Sequence, residues 1–254
     1  MDIVIIGSGN VAHCFGRLLK LNGHQIMQIL SRNEEHAKAL GEQLNTDFET
    51  DFKKIYRNAD VYILAVSDDA ISTIAKQLYL TDQLVVHTAG SIGMDVLENI
   101  SSRFGVLYPL QTIRKEAEGN KKIPLLIEAN SPLALNRIRS VGNAISDNIE
   151  EMDSAERRKM HLTAIFCNNF PNFLMTLCKS YCKRENLDFE LLYPLLDETF
   201  VQMKKPLEET RQTGPAIRGD ESTIEKHLTL LEEHPEFKEI YQVTTKNIKD
   251  FFKS

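Results

Sequence analysis

The sequence predicts an α/β protein, with a doubly wound parallel sheet over residues 1–152 and a smaller all-helical domain over residues 153–254. Three observations carry this. Short β-branched runs alternate with helical periodicity through the first part, which is the pattern of a parallel sheet covered on both faces. A glycine turn, GSGNVA at residues 7–12, ends the first such run and opens a helical stretch. Beyond residue 153 the strand-like runs stop and only helical patterns follow.

Ile3–Ile6 is the first run, and its helix ends at Asn22-Gly23, where Gly23 suits a left-handed closing residue. Gln25–Leu30 reads as the second strand, and Glu34-Glu35 begin the next helix. Val61–Ala65 and Leu84–His87 are continuous apolar runs, as buried parallel strands require, and stand fourth and fifth in the sheet. Phe104–Tyr108 and Ile123–Ile127 continue the series. Ser131–Ile145 is the next helix and Ile149–Met152 the last strand. Ser154–Glu185 then reads as one long helix, interrupted and bent at Pro171. Phe189–Lys205, Ser222–Leu231 and Glu236–Phe252 supply three more, with Ser222 and Glu225 matching an S-x-x-E capping box.

Composition narrows the function. Of 254 residues 42% are apolar and 26% charged, with a net charge of −6 and no Lys/Arg block. These values suit an ordinary globular protein and argue against a nucleic-acid surface. The opening MDIVIIGSG is far too short for a signal peptide or a membrane span. A cytoplasmic protein is therefore expected. The four cysteines lack metal-site spacing, so free, buried or half-buried thiols are expected and no metal site.

The glycine turn carries the first chemistry. Gly7 allows the tight turn, Gly9 lets the backbone approach a diphosphate, and Ala12 allows close helix–strand packing. The diphosphate would sit on the unpaired N–H groups at the helix start, beside Ser8, Asn10 and Val11. The second strand ends in Ser31-Arg32 rather than in the acid that accepts a ribose 2′-hydroxyl. A hydroxyl followed by a guanidinium favours a 2′-phosphate, hence NADP, over the alternative of a surface arginine without a ligand.

The carboxyl ends of the fourth and fifth strands, Ala65-Val66-Ser67 and Thr88-Ala89-Gly90, are expected to line the crevice, where their small residues leave space for the nicotinamide ribose. Ser67 and Ser91 are read as cofactor contacts. His87 is a candidate proton donor, or a structural hydrogen bonder closing its strand.

These motifs, with YPLQT (108–112), NN (168–169) and TGPAIRGD (213–220), resemble a known family. Its members are two-domain NADP-dependent oxidoreductase-like proteins that join a Rossmann domain to a helical C-terminal domain of unknown function. Pyrroline-5-carboxylate reductase and the deazaflavin-dependent NADP reductases are its relatives. The motifs span almost the whole chain. The family has histidine before the proline of the fourth motif where this chain has Tyr108, so an acid there must be a phenol, which titrates far higher. IFCNN (165–169) is also similar to a segment of β-hydroxyacid dehydrogenases, but their lysine falls on Ile165, which removes that mechanism's proton donor.

The resemblance implies an NADP-binding Rossmann domain (1–152) and a helical substrate and dimerisation domain (153–254) that covers the nicotinamide end of the cleft. It implies Asn168 and Asn169 near the cofactor, Asn169, Thr213 and His87 as catalytic groups, and Arg218, Asp220 and Tyr108 on the substrate. Arg218 suits a carboxylate held bidentately, and Asp220 either orients Arg218 or caps the following helix. An elaborate helix-to-helix turn is the plainer reading of the same loop. The expected function is NADPH-dependent reduction of a C=O or C=N bond in a small, carboxylated molecule. The alternatives are a non-catalytic NADP(H) sensor and hydride exchange with a deazaflavin. A homodimer is expected, with no nucleic-acid or membrane partner; the apolar pattern of residues 154–205 fits either a dimer face or internal core.

Overall fold

The computed structural model describes residues 1–114, 123–206 and 212–252. The chain forms β1 (Asp2–Ile6), α1 (Asn10–Leu21), β2 (Gln25–Leu30), α2 (Glu34–Leu44), β3 (Asp47–Glu49), β4 (Val61–Leu64) and α3 (Asp68–Ala75). It continues with β5 (Leu84–His87), β6 (Arg103–Pro109), β7 (Leu125–Ala129), α4 (Pro132–Gly142), β8 (Ile149–Glu151) and α5 (Ser154–Ala164). A π-helical turn (Ile165–Asn169) leads into α6 (Phe170–Arg184), α7 (Tyr193–Gln202), α8 (Pro215–Arg218), α9 (Glu221–Leu230) and α10 (Pro235–Phe251).

The strands form one sheet in the order β3-β2-β1-β4-β5-β6-β7-β8. The chain winds outward from β1 to β3 and then returns to β4 on the other side of β1. The topological switch point therefore lies between β1 and β4, where a ligand crevice is expected at the carboxyl ends. Successive side chains of each strand serve opposite faces. Ile3 and Ile5 join Ile63, Val86 and Leu107 under α1, α2 and α4. Val4 and Ile6 join Tyr62, Leu64 and Val85 beneath α3. Both faces are dry, which is why these strands read as unbroken apolar runs.

Several expectations are corrected. The sheet is not wholly parallel, since β7 runs antiparallel to β6, with Leu107 opposite Ile127. An apolar run has the same pattern in either direction, so its sequence carries no sign of the reversal. The single helix expected from residue 154 is present, helical without a break from Ser154 to Arg184, but it contains a π turn that the sequence reading lacked. Asn168 and Asn169 occupy that π turn, just before Pro171, and a π turn is a helical irregularity of the kind found beside residues that cannot complete the regular hydrogen-bond ladder. The helix expected over Phe189–Lys205 begins as a 3₁₀ turn, Phe189–Leu192, and is α-helical only as α7. The Ser222–Glu225 capping box is replaced by Asp220, which accepts from the Thr223 amide at 3.1 Å and the Thr223 hydroxyl at 2.8 Å. Cys167 is exposed rather than buried.

The chain divides into two compact units, Met1–Phe166 and Cys167–Ser254. The helical character starts at α5, as expected, yet α5 belongs to the first unit. A salt bridge tethers it there. The fully buried Arg157 pairs with Glu128 of β7, and its guanidinium also donates to the Ile92 carbonyl after β5. In the second unit, Tyr181 of α6 packs edge-on against His234 at 4.8 Å, and His234 bonds Glu185 at 2.7 Å. Among the described residues no helix is long and apolar enough to cross a membrane.

Candidate functional site

A cavity of about 670 Å³ opens in the first unit at the carboxyl ends of β1, β2, β4, β5 and β6. Its floor is built by the glycine turn. Gly7 has φ of +120°, and a Cβ there would stand 2.1 Å from the Ala65 carbonyl oxygen. Only glycine lets the β1 end pass so close to the β4 end. Gly9, by contrast, faces open space, and nothing lies within 4 Å of a Cβ built on it. It leaves room for a ligand rather than for the fold.

The two helix starts at this edge differ in charge. α1 begins after Gly9 with no side-chain cap and no acidic residue in its first turn, so its first N–H groups keep their positive potential. α3 begins with Asp68 and Asp69, which oppose an anion. A diphosphate therefore fits at α1 and not at α3. At the β2 end the Ser8 and Ser31 hydroxyls meet at 2.8 Å. Arg32 beside them is exposed and forms no ion pair among the described residues. A capless helix start, a hydroxyl pair and a free guanidinium suit the diphosphate and 2′-phosphate of NADP.

The cavity wall includes residues 7–11, Ser31, Arg32, Ala65, Val66, Ser67, Thr88, Ala89, Gly90 and Tyr108. Ser91 does not line it; its hydroxyl is held by the Asp68 carboxylate. His87 also stands outside. It is fully buried, its Nδ1 accepts from the Ala89 amide at 3.2 Å, and its Nε2 donates to the Gly93 carbonyl at 3.3 Å. Burial, helped by the nearby Arg157 charge, lowers its pKa to about 4. Of its two sequence readings, the structural one describes this histidine: it is a neutral brace for the loop after β5.

Sequence reasoning missed His161 and Ile113 on the cavity wall, which also includes Asp68 and Gln111. Asn10 donates to the Ile113 carbonyl at 2.9 Å and so ties the start of α1 to the segment after β6. His161 of α5 meets Tyr108 of β6, with Nδ1 2.9 Å from the phenol oxygen and the rings edge-on at 5.8 Å. The two residues are 53 positions apart, and no local signal joins them. Burial first, then the Asp68 charge, raise the Tyr108 pKa.

The remaining candidates lie in the second unit. Asn169 ends the π turn, Thr213 and Arg218 are exposed, and Gly214 and Gly219 take positive φ at the two ends of α8. The Asp220 carboxyl is held below its usual range chiefly by its bonds to Thr223, with the Arg218 charge contributing less. Capping, rather than pairing with Arg218, is thus the work its geometry shows.

Comparison with known proteins agrees with this architecture. Residues 2–90 match the family described as NADP oxidoreductase, coenzyme F420-dependent, and residues 123–248 match a domain of unknown function. A Bacteroides fragilis protein named for an inferred NADP oxidoreductase activity is 35% identical, with 98% of each chain covered and a TM-score of 0.90. More distant solved structures share the fold. A 1-pyrroline-5-carboxylate reductase from Streptococcus pyogenes is 16% identical, with 98% of each chain covered and a TM-score of 0.62. An imine reductase from Myxococcus stipitatus, solved with NADP⁺, is 13% identical over 98% of this chain and 92% of that one, with a TM-score of 0.69. No curated protein matches. The chain belongs to the NADP oxidoreductase family in which a dinucleotide-binding Rossmann domain precedes a C-terminal domain of unknown function.

Proposed function

We propose that the protein is an NADPH-dependent reductase of a C=O or C=N bond in a small, carboxylated molecule. The observation that carries this reading is the polarity of the cavity. One end offers the uncapped start of α1 with Ser31 and Arg32, and the other offers Tyr108 and His161. Bound NADPH supplies the hydride; the chain supplies charge complementarity at one end and hydrogen-bond donors at the other. The imine and pyrroline-5-carboxylate reductases that share the fold favour C=N among the two bonds.

In this reading residues 7–11, Ser31 and Arg32 hold the diphosphate and 2′-phosphate, while residues 65–67 and 88–90 accommodate the nicotinamide ribose. Arg218, which has no ion pair among the described residues, holds the substrate carboxylate, and Asn169 and Thr213 polarise the acceptor. The second unit pairs with a second copy of the chain. Leu191, Leu195 and Phe200 expose 78%, 62% and 46% of their surface, more than a stable monomer ordinarily leaves in one neighbourhood.

The test is a fluorescence titration with NADPH and NADH at matched ionic strength. The 2′-phosphate is worth one or more charge-assisted bonds of about 1.5–3 kcal/mol each, hence a tenfold or larger preference for NADPH. Arg32→Ala should abolish that preference and leave NADH binding unchanged. Equal affinity for both nucleotides in the wild type would remove the 2′-phosphate assignment.

A further inference from the structure

We propose that Tyr108 and His161 form a two-residue relay that delivers the proton a reduced substrate must take up. The proposal rests on the reductase reading above.

Elimination supports it first. Among the described residues, the ionisable ones on the cavity wall are Arg32, Asp68, Tyr108 and His161. Arg32 follows β2, four strand spacings from β6, or about 19 Å, and a guanidinium gives up no proton near neutral pH. Asp68 accepts from Ser91 and is an acceptor rather than a donor. His87 stands outside the cavity with both ring nitrogens engaged. Among the described residues of the wall, the pair remains.

Geometry supports it second. The phenol oxygen and His161 Nδ1 are already at hydrogen-bond distance. A Cβ built on Gly90 would lie 2.7 Å from His161 Nδ1 and 2.8 Å from Tyr108 Cζ. The backbone after β5, where small residues leave space, therefore packs directly beneath both rings. His161 sits one helical turn beyond Arg157, whose buried bonds to Glu128 and Ile92 fix α5 against the sheet. Asp68 and Arg157 are the charges acting on Tyr108, of opposite sign.

The proton balance is simple. The substrate carbon receives the hydride, and the bonding pair moves to its oxygen or nitrogen. That atom takes the proton of the Tyr108 hydroxyl. The phenol oxygen recovers one from the Nδ1–H of His161, whose ring regains a proton from water. A half-buried phenol alone would have to end as a phenolate; a histidine behind it removes that cost.

The test uses the full chain with Tyr108→Phe, His161→Gln and the double variant. NADPH affinity should stay within about twofold of wild type in each, which also controls for folding. With 1-pyrroline-5-carboxylate and pyruvate as probes, each single variant should lose about 100-fold in kcat, and the double variant should lose no more than either single. Full activity in Tyr108→Phe, or losses that multiply in the double variant, would overturn the relay. A separate NMR titration of the His161 ring should differ between wild type and Tyr108→Phe. Should the wild type bind NADPH yet reduce neither probe, the reductase reading fails, and the NMR decides the pair: a moved titration supports proton coupling, and an unmoved one sinks it. If His161→Gln does not bind NADPH, Tyr108→Phe decides by itself.

Discussion

The two units treat their large apolar side chains in opposite ways. In the first, Ile3, Ile5, Ile63 and Leu107 are completely buried between sheet and helices. In the second, α7 and α10 bury no residue fully, and Leu191, Leu195 and Phe173 lie mostly exposed. Both segments carry ample hydrophobic residues, so composition does not separate them. A sheet with helices on both faces encloses its own core, whereas the helices of the second unit keep apolar faces outward. Within residues 154–205, α7 thus buries no residue in the chain itself.

Three experiments sharpen or break this contrast. The largest effect is expected from Glu128→Ala, which strands the fully buried Arg157 guanidinium without its counter-charge. Removing one partner of a buried pair costs about 3–5 kcal/mol, to be read as a lower midpoint in urea denaturation. A loss below about 1 kcal/mol would mean that α5 is not anchored through this bridge.

A smaller effect belongs to His87. Its pKa falls to about 4 in the fold and returns to an ordinary value near 6.5 on unfolding. The unfolded chain thus binds the extra proton, and stability should fall as pH drops from about 6.5 to about 4, by at most about 3 kcal/mol. Thermal midpoints across that window should show the slope, and His87→Gln should flatten it. An equal slope in the variant would assign the acid sensitivity to other groups.

The smallest change in stability is expected in the second unit. Leu191→Glu with Leu195→Glu should alter chain stability by less than about 1 kcal/mol, because both positions are exposed. The same pair of changes should reduce the sedimenting mass to that of a single chain. A wild type that sediments as one chain, or a variant that still pairs, would remove Leu191 and Leu195 from the dimer face. A stability loss as large as that of Glu128→Ala would collapse the contrast itself.

The sequence alone determined whatever depends on near neighbours. Strand–helix alternation, the Gly7–Gly9 turn, the Ser31-Arg32 ending of β2 and the left-handed Gly23 are set by side-chain periodicity and by which residues tolerate positive φ. Such properties are written within a few residues of where they act. The tertiary structure alone decided the reversed direction of β7, the brace role of His87, the Glu128–Arg157 bridge and the meeting of Tyr108 with His161. The bridged residues are 29 positions apart and the ring pair 53, so each exists only because the sheet order brings β6, β7 and α5 together. No periodicity within one element encodes a contact between side chains that sit tens of residues apart on different elements. The chemistry proposed here rests on such a contact, and its physical basis is packing rather than motif.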